Sequence, residues 1–301
     1  MDFLLTPISE GALYEWEIWL GEWFFLISIG FLGFELIRYT VMRKMNWTLA
    51  GDTVTNFISL TLFYLITFVA FGAFYLGAFS WAAQFAVFDI PINLATVLIC
   101  ILLADLVYYW EHRFLHRVNL GWATHTVHHS SPFFNISVAY RFGPLDGVYP
   151  LIFHLPLALL GFNPAVILLS ELFVQLYQTA LHTESVKKLP KPVEAVFNTP
   201  SHHRVHHGSN PAYLDTNYAG ILIIWDRLFG TFAEEEETVV YGLVEPINSI
   251  NPLTVFFHGF GHLLSKVWRA RSASEVFSAL FSTPDWDARA QPRKSANSKE
   301  A

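Results

Sequence analysis

Long apolar stretches, broken at a few places, dominate the chain. Residues 1–17 form a mixed polar and interfacial lead-in. From Ile18 to Tyr39 the run is apolar apart from Glu22 and Glu35, and it ends among Arg38, Arg43 and Lys44. About 20 apolar residues span a bilayer as a helix, so this run predicts a first membrane helix. Lysine and arginine collect at the cytoplasmic end of a span, which places the N-terminus outside. No charged side chain occurs from Thr53 to Phe88. A second helix is expected to run to roughly Ala78, with FSWAAQFAVF lying along the far interface. Asp89-Ile90-Pro91 reads as a turn, because proline restricts the residue before it. A third helix then returns from Ile92 to about Phe114.

Residues 117–145 are mixed and polar, with Pro132, Arg141 and Pro144, and predict a cytoplasmic loop. Gly147 to Ser170 is again free of charge, but Gly161-Phe162-Asn163-Pro164 interrupts it. Asparagine followed by proline restarts a helix, so a helical hairpin is expected. Its first arm is short, and its second ends near Gln178 and His182. Lys187, Lys188 and Lys191 return the chain to the side of Arg43. Residues 209–249 read as soluble, with Glu234–Glu237 as a solvated face. Residues 252–269 are amphipathic and aromatic and fit an interfacial helix. The polar tail from about Thr283 is expected to be disordered. The fold class is therefore all-α: an integral membrane bundle of about four membrane helices, including the hairpin, under a cytosolic histidine-rich helical cap. In units, this gives N-terminal membrane helices over 1–110 and a catalytic domain over 95–235. A cytosolic or interfacial segment over 236–282 and a tail over 283–301 follow.

Composition supports the membrane reading. Of 301 residues, 53% are hydrophobic and 14% charged, against about 25% charged in soluble domains. Trp16, Trp19, Trp23, Trp47 and Trp81 read as interface anchors. A net charge of −7 and the lack of a long basic tract argue against a nucleic-acid partner. Cys100 is the one cysteine, which excludes an internal disulfide and cysteine-ligated zinc or iron–sulfur sites. The start, MDFLLTPISEGALYEWE, has acidic residues where a secretory signal has basic ones, so the N-terminus is expected to be retained.

Histidine placement changes the picture most. His112 and His116 form H-x3-H; His125, His128 and His129 form H-x2-H-H; His203, His206 and His207 repeat H-x2-H-H. Residues at i, i+3 and i+4 share a helix face, and neutral imidazole is the commonest protein metal ligand. With His182 the set reaches nine. A zinc site usually takes four ligands, so nine are too many for one metal and fit two. An all-nitrogen site of two metals beside apolar helices points to iron and dioxygen, because zinc has no redox chemistry. The ends of apolar helices let a lipid chain reach the metals, which suits attack on an unactivated C–H bond. Asp105, Tyr108, Tyr109 and His112 repeat at three- and four-residue steps, so a polar stripe leads into the site. A buried Asp in a span is usually functional or paired.

Two other functional classes use clustered histidines. A non-catalytic metal-binding membrane protein, a transporter or sensor, would place its ligands inside the membrane path, whereas these boxes sit at one face. A zinc hydrolase would carry H-E-x-x-H, which does not occur here. His154, mid-membrane, reads as a helix-packing hydrogen bond, with a gate or substrate contact as the alternative. His258 and His262 read as a face of the interfacial helix, with an extra metal site as the alternative.

The string DLVYYWEHRFLH…HTVHHS…HHRVHH resembles the fatty acid hydroxylase / sterol desaturase superfamily of membrane di-iron enzymes, over roughly residues 95–235. Within it, LHTESVKKLPKPVEAVFNTPSHHRVHHGSN…NYAGILIIWDRLFGTFAEE is similar to the alkylglycerol monooxygenase branch, most densely from 176 to 250. The resemblance implies two irons, dioxygen as co-substrate and a reductant. It implies that His112, His116, His125, His128, His129, His203, His206 and His207 are ligands, with His182 at a further ligand position. Some relatives carry another histidine four residues earlier, where this chain has Gln178. His202, Glu111, Arg113, Asp105, Asn217 and Asp226 are candidates to orient the ligands, since ligating histidines usually donate their other N–H to a carboxylate or carbonyl. The branch implies tetrahydrobiopterin and hydroxylation of the ether-bonded carbon of glyceryl ethers; its known member is longer, with further C-terminal membrane helices. Other superfamily members hydroxylate fatty acyl chains or desaturate sterols with electrons from a cytochrome b5 or ferredoxin partner. Hydroxylation and desaturation start with the same hydrogen abstraction and stay open at this point, with hydroxylation favoured by the closer strings.

Overall fold

The structure is a computed structural model, and it describes residues 2–287. Among these residues it is helical, without strands. Four helices are long and apolar enough to cross a membrane: α1 (Glu10–Val41), α2 (Trp47–Ala83), α3 (Leu94–Arg117) and the second arm of the hairpin, Pro164–Leu181. The box helix α4 (Asn119–His129) follows α3 directly. The hairpin consists of α5 (Tyr149–Leu160) and α6 (Pro164–Leu181). Then come α7 (Pro200–His206), the amphipathic α8 (Pro252–Arg269) and α9 (Ala273–Phe281).

Two helices run further than expected. The Ser9 side chain accepts from Ala12 N–H and starts α1 at Glu10 instead of Ile18, because a serine N-cap satisfies one of the orphan donors of the first turn. The second helix runs past Ala78. It continues to Ala83 through one π-helical turn at Thr67–Phe71. The turn lies where Gly147 approaches it: a Cβ on Gly147 would meet Thr67 Oγ1 at 2.8 Å.

The other boundaries follow local chemistry. Asn93 and Thr96 form a capping box that starts α3. Gly161, at φ +117°, ends α5, and a Cβ there would collide with the carbonyl of Phe88. Asn163 then caps α6, with Pro164 in its first turn. At 12 residues, α5 is about 18 Å long, too short to span about 30 Å of hydrocarbon.

Contacts sort the bundle into two ends. At the far end, Ile8 N–H donates to Ile92 O, and Asn163 Nδ2 donates to Glu10. At the other end, Tyr39 Oη donates to Phe134 O, and Glu35 accepts from Ile136 N–H and Thr183 Oγ1. Arg38 reaches Ser185 there. The basic end of α1 therefore lies beside the box segments. The core between the helices is built from Leu13, Phe79, Val97, Cys100, Leu157 and Ile167. The outward faces carry exposed Trp19, Trp23, Ile27, Ile37, Phe74 and Leu98, and all five anchor tryptophans are surface residues. A lipid environment removes the penalty such faces would incur in water; the chain is a membrane protein.

The amphipathic α8 packs Val255, Phe256, Gly259 and Leu263 against α4. A Cβ on Gly259 would meet Ala123 O at 2.2 Å, so glycine is what lets the two helices touch. Of the tail expected from Thr283, residues 283–287 follow α9 and meet Lys266, which donates to Pro284 O; residues 288–301 lie outside the described residues.

One buried ion pair ties α2 to the box helix. Arg141 Nη1 meets Asp52 Oδ1 at 2.8 Å, with the side chains 1% and 3% exposed. Its Nε donates to Val127 O at 2.9 Å and its Nη2 to Ser130 Oγ at 2.9 Å. Asp52 also accepts from Ser131 Oγ at 2.6 Å. Asp52→Ala is expected to destabilise the protein by about 3–5 kcal/mol, since it leaves a buried charge unpaired. Thermal unfolding in detergent measures this; a loss under about 1 kcal/mol, typical of exposed pairs, would show that the pair does not hold the box helix.

Candidate metal centre

The boxes arrive from four directions. α3 ends on His112 and His116, α4 on His125, His128 and His129, α6 is capped by His182, and α7 brings His203 and His206 with His207 as its cap. The structure brings all nine expected rings together, in two groups. His112, His116, His125, His129 and His206 form one; His128, His182, His203 and His207 form the other. Within each group the nearest nitrogens all lie within 4.8 Å of one another. Eight of the rings are buried and His128 is partly so.

The groups do not follow the boxes. His128 leaves its box for the second group, and His206 leaves its own for the first. Consecutive helical residues point about 100° apart, so the neighbours His128 and His129 serve different centres. The same holds for His206 and His207.

Several rings are oriented by main-chain carbonyls. The Nδ1–H of His112 donates to Tyr218 O at 2.9 Å, that of His182 to Gln178 O at 2.9 Å, and that of His206 to Thr216 O at 2.9 Å. A carbonyl only accepts, so each of these rings keeps its lone pair on Nε2. Those atoms face the cluster: His112 Nε2 lies 3.1 Å from His125 Nε2, and His182 Nε2 lies 3.0 Å from His203 Nε2. The Nε2 atoms of His116, His206 and His207 are buried without a hydrogen-bond partner.

Burial, reinforced by neighbouring imidazoles, holds His125, His128, His129, His203 and His207 well below the ordinary histidine pKa. Burial takes His206 down to about 4 and His182 to about 3. The rings are thus neutral with bare nitrogens facing inward, which is the ligating form. Nitrogen-only donors in this number suit iron, copper, zinc or nickel. Cys100 sits in the apolar core and offers no sulfur.

Of the residues expected to orient the ligands, Asp226, Asn217, Asp105 and Gln178 direct their side chains to the main chain around residues 217–233. Asp226 accepts from Tyr218 N–H and Ala219 N–H, both at 2.8 Å, and from Thr231 Oγ1 at 2.6 Å. It fixes the peptide whose carbonyl holds His112. Asn217, at φ +56°, bonds both Ala233 N–H and Ala233 O and donates to His202 O. Asp105 accepts from Ile221 N–H, Leu222 N–H and Trp225 Nε1, so it anchors the 217–226 loop and touches no ligand ring. The Gln178 amide turns to Ala219 O and Gly220 O, while its backbone carbonyl holds His182. His202 pairs with Glu194 at 2.9 Å and lies outside both groups. Arg113 donates to Tyr109 Oη at 3.0 Å.

Glu111 turns away from the groups, toward His154 Nδ1 at 3.7 Å, which also lies 3.5 Å from Glu171. His154 Nδ1–H donates to Pro150 O at 3.0 Å, one turn earlier within α5, and the ring is flanked by the two carboxylates. His258 and His262 pair with each other, ring centroids 4.5 Å apart, outside both groups.

Three contributors carry no sequence signal of their own. The carbonyls of Tyr218 and Thr216 are main-chain atoms. Asp215, at φ +60°, places its carboxylate 3.8 Å from His116 Nδ1 and pairs with Arg117 at 2.6 Å. Only its closeness to Asn217 in NPAYLDTNYAG could have drawn attention to it.

Residues 97–231 match the model of the family described as Fatty acid hydroxylase. The match covers a little under half of the chain. All nine rings of the two groups lie inside the matched stretch. The chain is similar to alkylglycerol monooxygenase of Danio rerio, 48% identical over 182 residues, which is 60% of this chain and 40% of the relative. It is similar to the Homo sapiens alkylglycerol monooxygenase, 47% identical over 182 residues with the same shares, 60% and 40%. Human lathosterol oxidase matches more distantly but more widely, at 22% identity over 239 residues, 76% of this chain and 73% of the relative. The chain thus spans about 40% of the length of the alkylglycerol monooxygenases it matches. No solved structure matches it.

Two outcomes are expected of this stretch. Asp226→Asn should weaken metal binding by about 10- to 100-fold, the usual effect of loosening a partner of a ligand; competition with a chelator reads it, and unchanged affinity would detach Asp226 from the site. Metal-free protein should lose thermal stability as the pH falls from about 6.5 toward 4. Above that window the rings are neutral in both the folded and the unfolded chain. Within it the unfolded chain takes up protons that the buried rings refuse. A melting temperature flat across this range would contradict the neutral, buried state of the rings.

Proposed function

We propose that this chain is a membrane di-iron oxygenase that uses dioxygen to hydroxylate a C–H bond of a lipid. The observation that carries the reading is the pair of compact imidazole groups at one end of an apolar helix bundle. His112, His116, His125, His129 and His206 would hold one iron, and His128, His182, His203 and His207 the other. When bound, the iron pair supplies the redox chemistry that activates dioxygen, which no side chain can do.

The chain's own residues supply position and exclusion. Carbonyls of Tyr218, Gln178 and Thr216 fix ring tautomers, so the lone pairs converge. Asp105, Asp226 and Asn217 hold the loop that presents two of those carbonyls. Burial keeps the rings unprotonated near neutral pH and keeps water from competing for the site. The apolar helices hold the lipid, so that its reacting carbon meets the site without leaving the bilayer. The basic residues Arg38, Arg43 and Lys44 at the same end support a cytoplasmic placement of the site. Reduced pterin such as tetrahydrobiopterin, cytochrome b5 or ferredoxin would supply electrons.

The names of the nearer relatives favour monooxygenation, and an alkyl ether of glycerol is the substrate class they suggest. The wide match to lathosterol oxidase favours a second reading, desaturation of a sterol or other lipid at the same centre. Lipid mass spectrometry of cells with and without the protein, under labelled dioxygen, separates the two. One labelled oxygen gained per product is expected; loss of two hydrogens without label would favour the desaturase. His128→Ala should abolish turnover and lower the iron content of the purified chain. Full activity in iron-free protein would overturn the reading.

A further inference from the structure

Two histidines outside the centre repeat its spacing. His258 and His262 lie four residues apart on α8, the same H-x3-H step as His112 and His116, and so share a helix face. Their ring centroids are 4.5 Å apart. Rings within one group of the centre stand 4.2 Å apart for His182 and His203, and 5.2 Å for His112 and His116. The pair therefore has the separation of two rings that can share one ion. The contact of α8 with α4 is carried by Val255, Phe256, Gly259 and Leu263, so it leaves both histidines out. His258 is half-buried and His262 exposed.

We propose that His258 and His262 form a capture site for a divalent transition-metal ion, which then passes inward to the nine-ring centre. The inference rests on the reading of those nine rings as a metal centre. Loading is ligand exchange: the ion gives up the two imidazoles of the pair and bound water, and takes the imidazoles of the centre. Nothing is oxidised or reduced.

A path joins the two sites. One cavity of about 810 Å³ is lined by His258 and His262 and also by His116, His129, His206 and His207. The Nε2 atoms of His116, His206 and His207 are buried and partnerless, so the path ends on open ligand positions. Asp215, Glu245, Asp285 and Asp287 line the same cavity against Arg117 and Lys266. That excess of carboxylates draws cations and raises their local concentration. Burial, and then the neighbouring His262 ring, hold His258 below the ordinary histidine pKa, so it is neutral and able to ligate near pH 7. Imidazole nitrogen selects transition metals over magnesium and calcium, which prefer oxygen. Two imidazoles bind an ion less tightly than the groups of five and four, so the gradient runs inward.

The test uses the full chain, purified in detergent and stripped of metal with a chelator. Cobalt(II), followed by calorimetry and by its visible absorbance, counts the sites. Iron(II), added anaerobically at limiting concentration, gives the rate of loading. Cobalt should fill about two tight equivalents and one weaker one. His258→Gln and His262→Gln should each remove the weaker equivalent alone; the exposed position of His262 keeps that variant folded if the other misfolds. Iron loading should slow by at least about tenfold in the variants, with the final iron content as in the parent. The difference should vanish in a large excess of iron, where capture no longer limits loading. An unchanged loading rate, or a weaker cobalt equivalent that survives both substitutions, overturns the proposal and leaves the oxygenase reading intact. A chain whose nine rings take up no iron removes the capture site and the oxygenase reading together.

Discussion

Nine neutral imidazoles are packed into a small volume, and within each group their ligating nitrogens face one another. His112, His182 and His206 have committed their only N–H to a main-chain carbonyl. Burial opposes the protonation that could otherwise supply a hydrogen. Buried acceptors with no donor are costly, and three rings show that deficit openly on Nε2. A cation between the rings removes it. The surrounding structure is best understood as what keeps these rings from relaxing apart.

Holding them takes devices at several levels. Gly161 and the Asn163 cap fix where α6 starts, and His182 caps its other end. The Arg141–Asp52 pair binds the C-terminal turn of α4 to α2. Asp105 and Asp226 bind the 217–226 loop from two sides, and that loop supplies the carbonyl that aligns His112. The same arrangement places the centre where apolar helices end and polar segments begin.

Much of this was legible in the residues. The apolar runs, the break at Gly161–Pro164 and the spacing of the histidines are strong periodic signals, and they led to the bundle, the hairpin and all nine rings. The pairing of rings into groups was not legible from the boxes. His128 and His206 cross between groups because adjacent helical residues diverge, and which centre each meets depends on how α4 and α7 pack. The orienting partners were expected among side chains, yet the rings lean on the carbonyls of Tyr218, Thr216 and Gln178, which any residue could provide. Glu111 was expected near the ligands because it precedes His112, but that same 100° step turns it toward His154. The extension of α1 to Glu10 hangs on one serine side chain, and that of α2 past Ala78 on a π turn that no periodicity marks.

The most direct measurement is anomalous X-ray scattering at the iron edge from crystals of the iron-loaded chain. Two peaks are expected, one enclosed by His112, His116, His125, His129 and His206 and the other by His128, His182, His203 and His207. A single peak, or iron bound outside both sets of rings, would contradict the central claim.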